Sequence, residues 1–425
     1  MKFKLLEFAP QDWLSSWLSQ LQTPVGMLIV GRFFSEIGTG FTLFYAPIFF
    51  VNQVGLSATT VGIALTSTSV AGVFGRILGG SLADSRDWGR RRTLLLATAI
   101  SAVGSLVLAA TNNFTTLVIG SSIVGLGIGF YWPASESVVA DASESENRRE
   151  TFALARVADN LGLAIGSVLA GWWVAIANNY RGLFIIDAIS FLVFFTVIFL
   201  AIHETSQPEI AESQPPPPLT SWLAALSDRR LLIYVTVNIT FTTCLAQLHS
   251  TLPIYLRNFV RVEDHTLGLA ATTISSLFAW HLALAVICQF PMARMLKQYS
   301  HTQALTISAI LWAIGFILIW VTAIAPNYPL LWVTLALTVF ALALVSYTPF
   351  AASLVTDLAP ESQRGVYFSI NSLCWALGHF IGSPLGGWAL DQPRMIADNF
   401  WLGFSLSVLI AVGILQYLNR ILSQE

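Results

Sequence analysis

Twelve runs of roughly twenty apolar residues, each closed off by polar or turn-forming residues, constrain this chain more than any other feature. About twenty residues of helix cross a hydrocarbon layer of about 30 Å. The runs cover residues 24–51, 59–83, 93–111, 114–140, 151–176, 182–202, 230–256, 266–293, 302–324, 329–355, 365–390 and 396–419, numbered here as spans 1 to 12. Inside lipid a chain must satisfy its own backbone polar groups, which leaves helices for segments of this length. The expected fold class is an all-α membrane protein with twelve transmembrane helices. Composition points the same way, since 55% of the 425 residues are hydrophobic and 10% are charged, whereas a soluble domain carries about a quarter charged. A cytosolic enzyme and a disordered scaffold are excluded. A net charge of −2 leaves no cation excess for phosphates, so no nucleic-acid partner is expected.

Most connections between spans are a few residues long, as antiparallel neighbours require. The exception is residues 203–229, which contain Pro215, Pro216, Pro217 and Pro218 and read as a cytoplasmic Pro-rich linker between bundles at 24–202 and 230–425. Ahead of span 1, residues 1–23 place Trp13, Leu14, Trp17, Leu18 and Leu21 at helical spacing, an interfacial amphipathic segment rather than a secretory signal. Lys and Arg fall fourteen on one side of the membrane and four on the other, which puts both termini in the cytoplasm. The expected location is the plasma (inner) membrane. Cys244, Cys288 and Cys374 lie far apart in apolar runs and build neither a disulfide framework nor a metal site.

The halves repeat. LGLAIGSVLAGW from Leu161 matches LGHFIGSPLGGW from Leu377 at an offset of 216, and the same offset pairs Tyr131, Pro133, Ser137, Asp141 and Arg148 with Tyr347, Pro349, Ser353, Asp357 and Arg364. Spans 4–5 and 10–11 are therefore equivalent, as expected of two six-helix bundles in parallel, pseudo-twofold arrangement. Gly162 and Gly166, with Gly378 and Gly382, form G-x-x-x-G patches that let helix backbones approach closely. Their recurrence predicts a sliding seam between the halves.

After span 2 the chain reads GRILGGSLADSRDWGRRR. Gly80, Leu82, Ala83 and Asp84, then Gly89, Arg90, Arg91 and Arg92, resemble the signature loop of the major facilitator superfamily, with two extra residues between Asp84 and Gly89. Span 5 is similar to the glycine motif of the twelve-helix drug/proton antiporter branch, with Ser167 and Ala170 in place of a proline and a glycine. Span 11 keeps Gly382, Pro384, Gly386 and Gly387. That branch often has an arginine four residues before a glycine of span 4, where this chain has Ser121 before Gly125. The resemblance implies a cytoplasmic gate in which Gly80, Asp84, Gly89, Arg90, Arg91, Glu136 and Asp141 hold one access state. Read without the family, the loop arginines are equally topogenic charges among anionic headgroups.

Ionisable residues at membrane depth cost roughly 3 kcal/mol each on insertion scales and default to functional candidates. Arg32 and Glu36 lie four residues apart in span 1, which lines the cavity in the superfamily. Either Glu36 takes up and releases a proton as its exposure to water changes, or the two form a permanent pair. Arg156 and Asp159 repeat the pattern in span 5 and pair with each other or with span 1. His249, followed by His281 and His379, is the first histidine to test for proton relay. Arg76 is expected to snorkel to the cytoplasmic surface, and Asp187 to be structural. Phe33, Phe41, Tyr45, Tyr131, Trp132 and Tyr347 fall on spans 1, 4 and 10 and would line a substrate cavity.

These residues predict a monomeric secondary transporter, not an enzyme, moving a small amphipathic solute by rocking two bundles around a midplane site, with the proton as coupling ion and lipid around it. Proton-coupled export of the multidrug type is the preferred mode. A metabolite or sugar uptake carrier and a lysophospholipid flippase share the fold, and a non-transporting receptor or scaffold is the alternative of another class. No G-x-x-x-x-G-K-[ST] signature appears, and no cofactor is expected.

Overall fold

The computed structural model describes residues 24–83, 85, 88–141, 148–202, 219–260, 268–325, 327–360 and 364–423. The amphipathic segment at 1–23, residues 203–218 and Asp84 lie outside them, as does the side chain of Asp141. Span 1 is built from α1 (Pro24–Leu43) and α2 (Tyr45–Asn52); spans 2 to 6 are α3 (Ala58–Ala83), α4 (Gly89–Ala109), α5 (Phe114–Asp141), α6 (Arg148–Ala177) and α7 (Tyr180–Ala201). A short helix, α8 (Leu219–Ser227), precedes span 7, which joins α9 (Arg229–Ala246), a π-helical turn over Gln247–Thr251 and α10 (Leu252–Asn258). Spans 8 to 12 are α11 (Ala271–Leu296), α12 (His301–Ile324), α13 (Pro329–Leu358), α14 (Arg364–Leu390) and α15 (Arg394–Leu422).

Eleven of these spans are long and apolar enough to cross a membrane on composition alone among the described residues. The twelfth, α14, has 27 residues, packs on spans 2 and 7, and turns Asn371 toward span 7 and Ser372 toward span 2. Within the stretch read as linker, α8 is helical: Trp222, Leu223, Ala225 and Leu226 follow the Pro tract, and Ala225 is fully buried against α9.

The helix pairs define two bundles. Span 1 packs on 5 and 6, span 3 on 4 and 6, and span 2 on 4; six places later, span 7 packs on 11 and 12, span 9 on 10 and 12, and span 8 on 10. Among the described residues two extensive pairs cross between the bundles, 2 with 11 and 5 with 8, and each is the repeat mate of the other. This is the pseudo-twofold arrangement of two six-helix bundles. Spans 1 and 7 follow an offset of 206, which pairs Pro47 with Pro253. Pro47 has no N–H for the carbonyl of Leu43, where α1 ends, and Pro253 has none for His249. The Leu252 N–H instead reaches back five residues to Gln247, closing the π turn. Both spans therefore break at the same depth. Gly89 enters α4 at φ 80°, a backbone conformation that favours glycine.

We call the face carrying the start of span 1 and the end of span 12 the near face, and the opposite one the far face. Most of the bonds between the bundles lie toward the far face, while Arg76 of span 2 bonds Ser372 of span 11 in the near half. Asn52 and Asn258, at the far ends of spans 1 and 7, exchange amide hydrogen bonds of 2.8 and 2.9 Å. The Tyr45 hydroxyl donates to the Ala271 carbonyl and bonds Ser275 Oγ, and the Phe44 and Phe278 rings stack with centroids 3.9 Å apart. Asp391 accepts from the backbone N–H groups of Ala58 at 2.9 Å and Thr59 at 2.7 Å.

Candidate functional site: a buried charge cluster in the first bundle

Arg32 sits about 12 Å along α1 at 1.5 Å per residue, and only 2% of it is exposed. A guanidinium at that depth must be fully partnered, and it is. Its Nε donates to Asp159 Oδ1 at 3.0 Å and its Nη2 to Asp159 Oδ2, a bidentate fork between spans 1 and 5. Its Nη1 donates to Ser135 Oγ on span 4 at 3.1 Å. The ring faces of Trp132 and Tyr131 lie 5.3 and 5.8 Å from its central carbon. The Arg156 central carbon lies 4.8 Å from the Trp132 ring centroid, and Arg156 donates to Glu136 at 3.2 Å and approaches Asp159 at 4.0 Å.

The Arg32 charge is thus held by Asp159 and not by Glu36, one turn along the same helix. Spacing of four on one helix permits a pair, but the fork matches a carboxylate facing it from another helix better than one sharing its own face. Glu36 has no hydrogen bond or ion pair among the described residues, while its Cβ lies against Gly162 of span 5. Glu136 and Arg156 are 49% and 55% exposed at the side chain, toward the near face. Asp187 is buried between spans 3 and 6, accepting from Ser105 Oγ at 2.7 Å.

The second bundle holds a neutral counterpart. By the offset of 206, Asn238 is the mate of Arg32. It is fully buried, accepts from the hydroxyl of Tyr347, the mate of Tyr131, and donates to Asn371 at 2.8 Å, which also accepts from Tyr234 at 2.7 Å. Charge at this level is therefore carried by one half.

Several sequence expectations change place. The G-x-x-x-G glycines are not a seam between the halves: a Cβ on Gly162 or Gly166 would meet backbone of Phe33 and Ile37 in span 1, and one on Gly378 or Gly382 would meet Thr242, Thr243 and Ala246 in span 7. They close the pairs 1·5 and 7·11 inside each bundle. On spans 5 and 11 the glycines that face across are Gly171, against Ser275, and its mate Gly387, against the Ala58 carbonyl. Phe41, Tyr45 and Tyr347 are 6%, 1% and 2% exposed and are packing residues rather than cavity lining; only Phe33, Tyr131 and Trp132 of that set keep partial exposure. Arg76 does not reach for the surface but bonds Ser372 Oγ on span 11. His249 lies in the π turn with its ring 6.1 Å from Phe44 and 6.2 Å from His379. His281 and His379 bond the carbonyls of Leu337 and Trp375 through Nδ1. Of the loop residues, Gly80 has open space around it, Arg90 reaches the Ser137 carbonyl, and Arg91 donates to the Phe199 carbonyl at 2.7 Å.

Two pseudo-symmetric bundles of six membrane-crossing helices, one bearing an ion-paired cluster at membrane depth, define an integral membrane transporter of the secondary type. The model of the Major Facilitator Superfamily matches residues 28–262 and 260–420, and the chain belongs to that family. It is 24% identical over 408 residues to a Na(+), Li(+), K(+)/H(+) antiporter of Planococcus maritimus, covering 90% of this chain and 91% of that protein. It is 25% identical over 360 residues to the multidrug resistance protein MdtH of Aeromonas hydrophila, covering 83% and 84%. Among solved structures, the nucleoside transporter NupG superposes with a TM-score of 0.76 at 14% identity, over 93% of this chain and 99% of that one. The peptide transporter POT gives 0.76 at 16% identity, over 93% and 94%. Both likenesses concern the fold.

Proposed function

We propose that this transporter exports small amphipathic compounds in exchange for protons, with its near face and both termini in the cytoplasm of a cell whose inner membrane it spans. The observation that carries the reading is the bidentate Arg32–Asp159 pair, buried at membrane depth beside Glu36, which makes no hydrogen bond or ion pair among the described residues. Embedded charge is expensive and is kept where it does work. Because Arg32 is committed to Asp159, a proton added to Glu36 breaks no ion pair. Glu36 is the group that takes up a proton when the site faces the outside and gives it up when the site faces the cytoplasm. Asp159 holds Arg32 in place, and the partly exposed Phe33, Tyr131 and Trp132 offer aromatic surface to an amphipathic solute. The bonded far face and the half-exposed Glu136 and Arg156 support a resting form open to the cytoplasm. The names of two relatives, a cation/proton antiporter and a multidrug resistance protein, support antiport.

The test is reconstituted protein in vesicles with an imposed pH gradient, given a panel of amphipathic compounds together with Na⁺, Li⁺ and K⁺. Glu36→Gln is expected to abolish gradient-driven movement while leaving solute-for-solute exchange intact. An unaltered pH dependence in that variant would remove Glu36 from the coupling step.

A further inference from the structure

The first four N–H groups of a helix have no partner within it, and each must be satisfied from outside. At the start of span 2 three of these, on Ala58, Thr59 and Thr60, have identified acceptors. The Thr60 N–H bonds Ser57 Oγ at 3.1 Å, a local cap, and the helix's own ladder begins with the Val61 N–H on the Ser57 carbonyl at 3.0 Å. Those of Ala58 and Thr59 have no local acceptor. They are taken by the two carboxylate oxygens of Asp391, which lies just past span 11 in the other bundle. We propose that Asp391 is the latch of the far face, completing the cap of span 2 only while the two bundles touch there. This rests on the reading of the chain as an alternating-access transporter, and it names the residue that sets the balance between its two open forms.

Three neighbouring observations converge on the same place. Gly387, four residues before Asp391, faces span 2 so closely that a Cβ would lie 2.2 Å from the Ala58 carbonyl oxygen. On span 2, a Cβ at Gly62 would lie 2.3 Å from the Ser383 carbonyl oxygen. The carboxylate reaches the N–H groups because these two backbones touch. Asn52 and Asn258 are repeat mates at an offset of 206, so their reciprocal bonds tie identical positions of the two halves. A negative charge at the positive end of a helix is favourable as well as hydrogen-bonded. On separation the Ala58 and Thr59 N–H groups must find water instead. Asp391 is thus a positioning residue: it touches no solute, and it acts through the position of span 2.

The experiment reads the far face without any solute. Leu65, in the small crevice between spans 2, 7 and 11, is replaced by cysteine in full-length protein whose Cys244, Cys288 and Cys374 are alanine. Labelling by a membrane-impermeant maleimide is then followed from each side of oriented vesicles. Asp391→Ala is expected to raise far-side labelling about tenfold, the scale set by losing hydrogen bonds to a charged acceptor. Asp391→Asn, which keeps one accepting oxygen without the charge, is expected to fall between. Gly387→Ala wedges the same seam with the carboxylate intact and should raise labelling too. A short thiol-to-thiol crosslink between Asn52→Cys and Asn258→Cys should suppress labelling and stop transport.

If Gly387→Ala raises labelling and neither Asp391 variant does, closure is a matter of packing and the latch is overturned. Should Asp391→Ala fail to yield folded protein, Asp391→Asn decides by the same measure. Labelling that shifts as expected in a protein exporting nothing against a pH gradient would leave the latch standing and sink the export reading instead. If no variant moves labelling and the crosslink leaves transport unaffected, the bundles do not part at this face and the latch falls.

Discussion

Asp159→Ala is expected to destabilise the folded protein by about 3–5 kcal/mol, the cost of removing one partner of a buried pair and stranding the other. The stranded group is Arg32, 2% exposed, with Ser135 Oγ as its remaining hydrogen-bond partner from this set. The effect should appear as a large fall in melting midpoint of the detergent-purified protein and in the monodisperse fraction recovered. Asp159→Asn keeps an acceptor for one arm of the fork and should lose less. The decisive comparison is Arg32→Gln with Asp159→Asn, which replaces both charges by amides. Since removing both members of a buried ion pair is often close to neutral, the double variant should recover most of the lost stability. It should still fail to couple solute movement to a pH gradient, because the Arg32 charge beside Glu36 is gone. A melting midpoint unchanged by Asp159→Ala would show that the pair contributes little to the fold. Recovered coupling in the double variant would mean that the Arg32–Asp159 charges are not part of transport.

How much of this was legible in the sequence follows from what kind of information each feature carries. The spans were legible because the hydrocarbon layer imposes a length and a composition on every crossing helix. The duplication was legible where close packing constrains both copies, as in the Gly-rich echo of spans 5 and 11, whereas the offset of 206 between spans 1 and 7 emerges only from their matching breaks at Pro47 and Pro253. Partners across the bundle were not. Arg32 has Glu36 within one turn in sequence and Asp159 127 residues away, and only the 1·5 crossing decides between them. The glycine patches announced a close approach but not which helix approached. Gly162 and Gly166 face span 1, while Gly171, on the same helix, faces the other bundle. Asp391 gave no periodic signal at all, since its function as a cap belongs to a helix that begins 333 residues earlier. A signal was present on the other partner, because Ser57 before an apolar run marks a helix start and leaves open what satisfies the next two N–H groups.

The asymmetry between the halves is a consequence of the same duplication. Equivalent backbone positions hold Arg32 in one bundle and Asn238 in the other, each buried beside a tyrosine of the fourth helix of its half, Tyr131 or Tyr347. The neutral set, closed by Asn371 and Tyr234, bonds within its own bundle without charge. On the proposed reading, a proton-linked change in the first bundle has no charged counterpart at the equivalent position of the second. The far-face bonds of Asn52, Tyr45 and Asp391 are where the movement of one against the other must be felt.

Gly166→Ala carries the second large expected effect, and its sign is opposite to that of the same change elsewhere. In an exposed helix, glycine to alanine is worth up to about 1 kcal/mol of stabilisation through backbone entropy. Gly413 in span 12 has nothing within 4 Å of an added Cβ, so Gly413→Ala should be neutral or mildly stabilising. At Gly166 the Cβ would lie 2.0 Å from the Ile37 carbonyl oxygen and 3.0 Å from the Gly40 Cα. Both are backbone atoms, so no rotamer change relieves the clash and spans 1 and 5 must move apart. Overpacking costs typically about 1–3 kcal/mol and more where the neighbour cannot yield, which puts Gly166→Ala at or above the upper end. The same two helices carry Arg32 and Asp159, so their separation loosens the fork as well, and gradient-driven transport should fall together with the melting midpoint. Gly378→Ala, at the equivalent seam of the second bundle, meets the Thr242 hydroxyl at 2.1 Å. It should destabilise comparably while leaving the Arg32–Asp159 geometry intact, so the transport lost per degree of melting should be greater at Gly166 than at Gly378. Equal losses at the two seams would mean that spacing between spans 1 and 5 has no privileged link to the charge cluster.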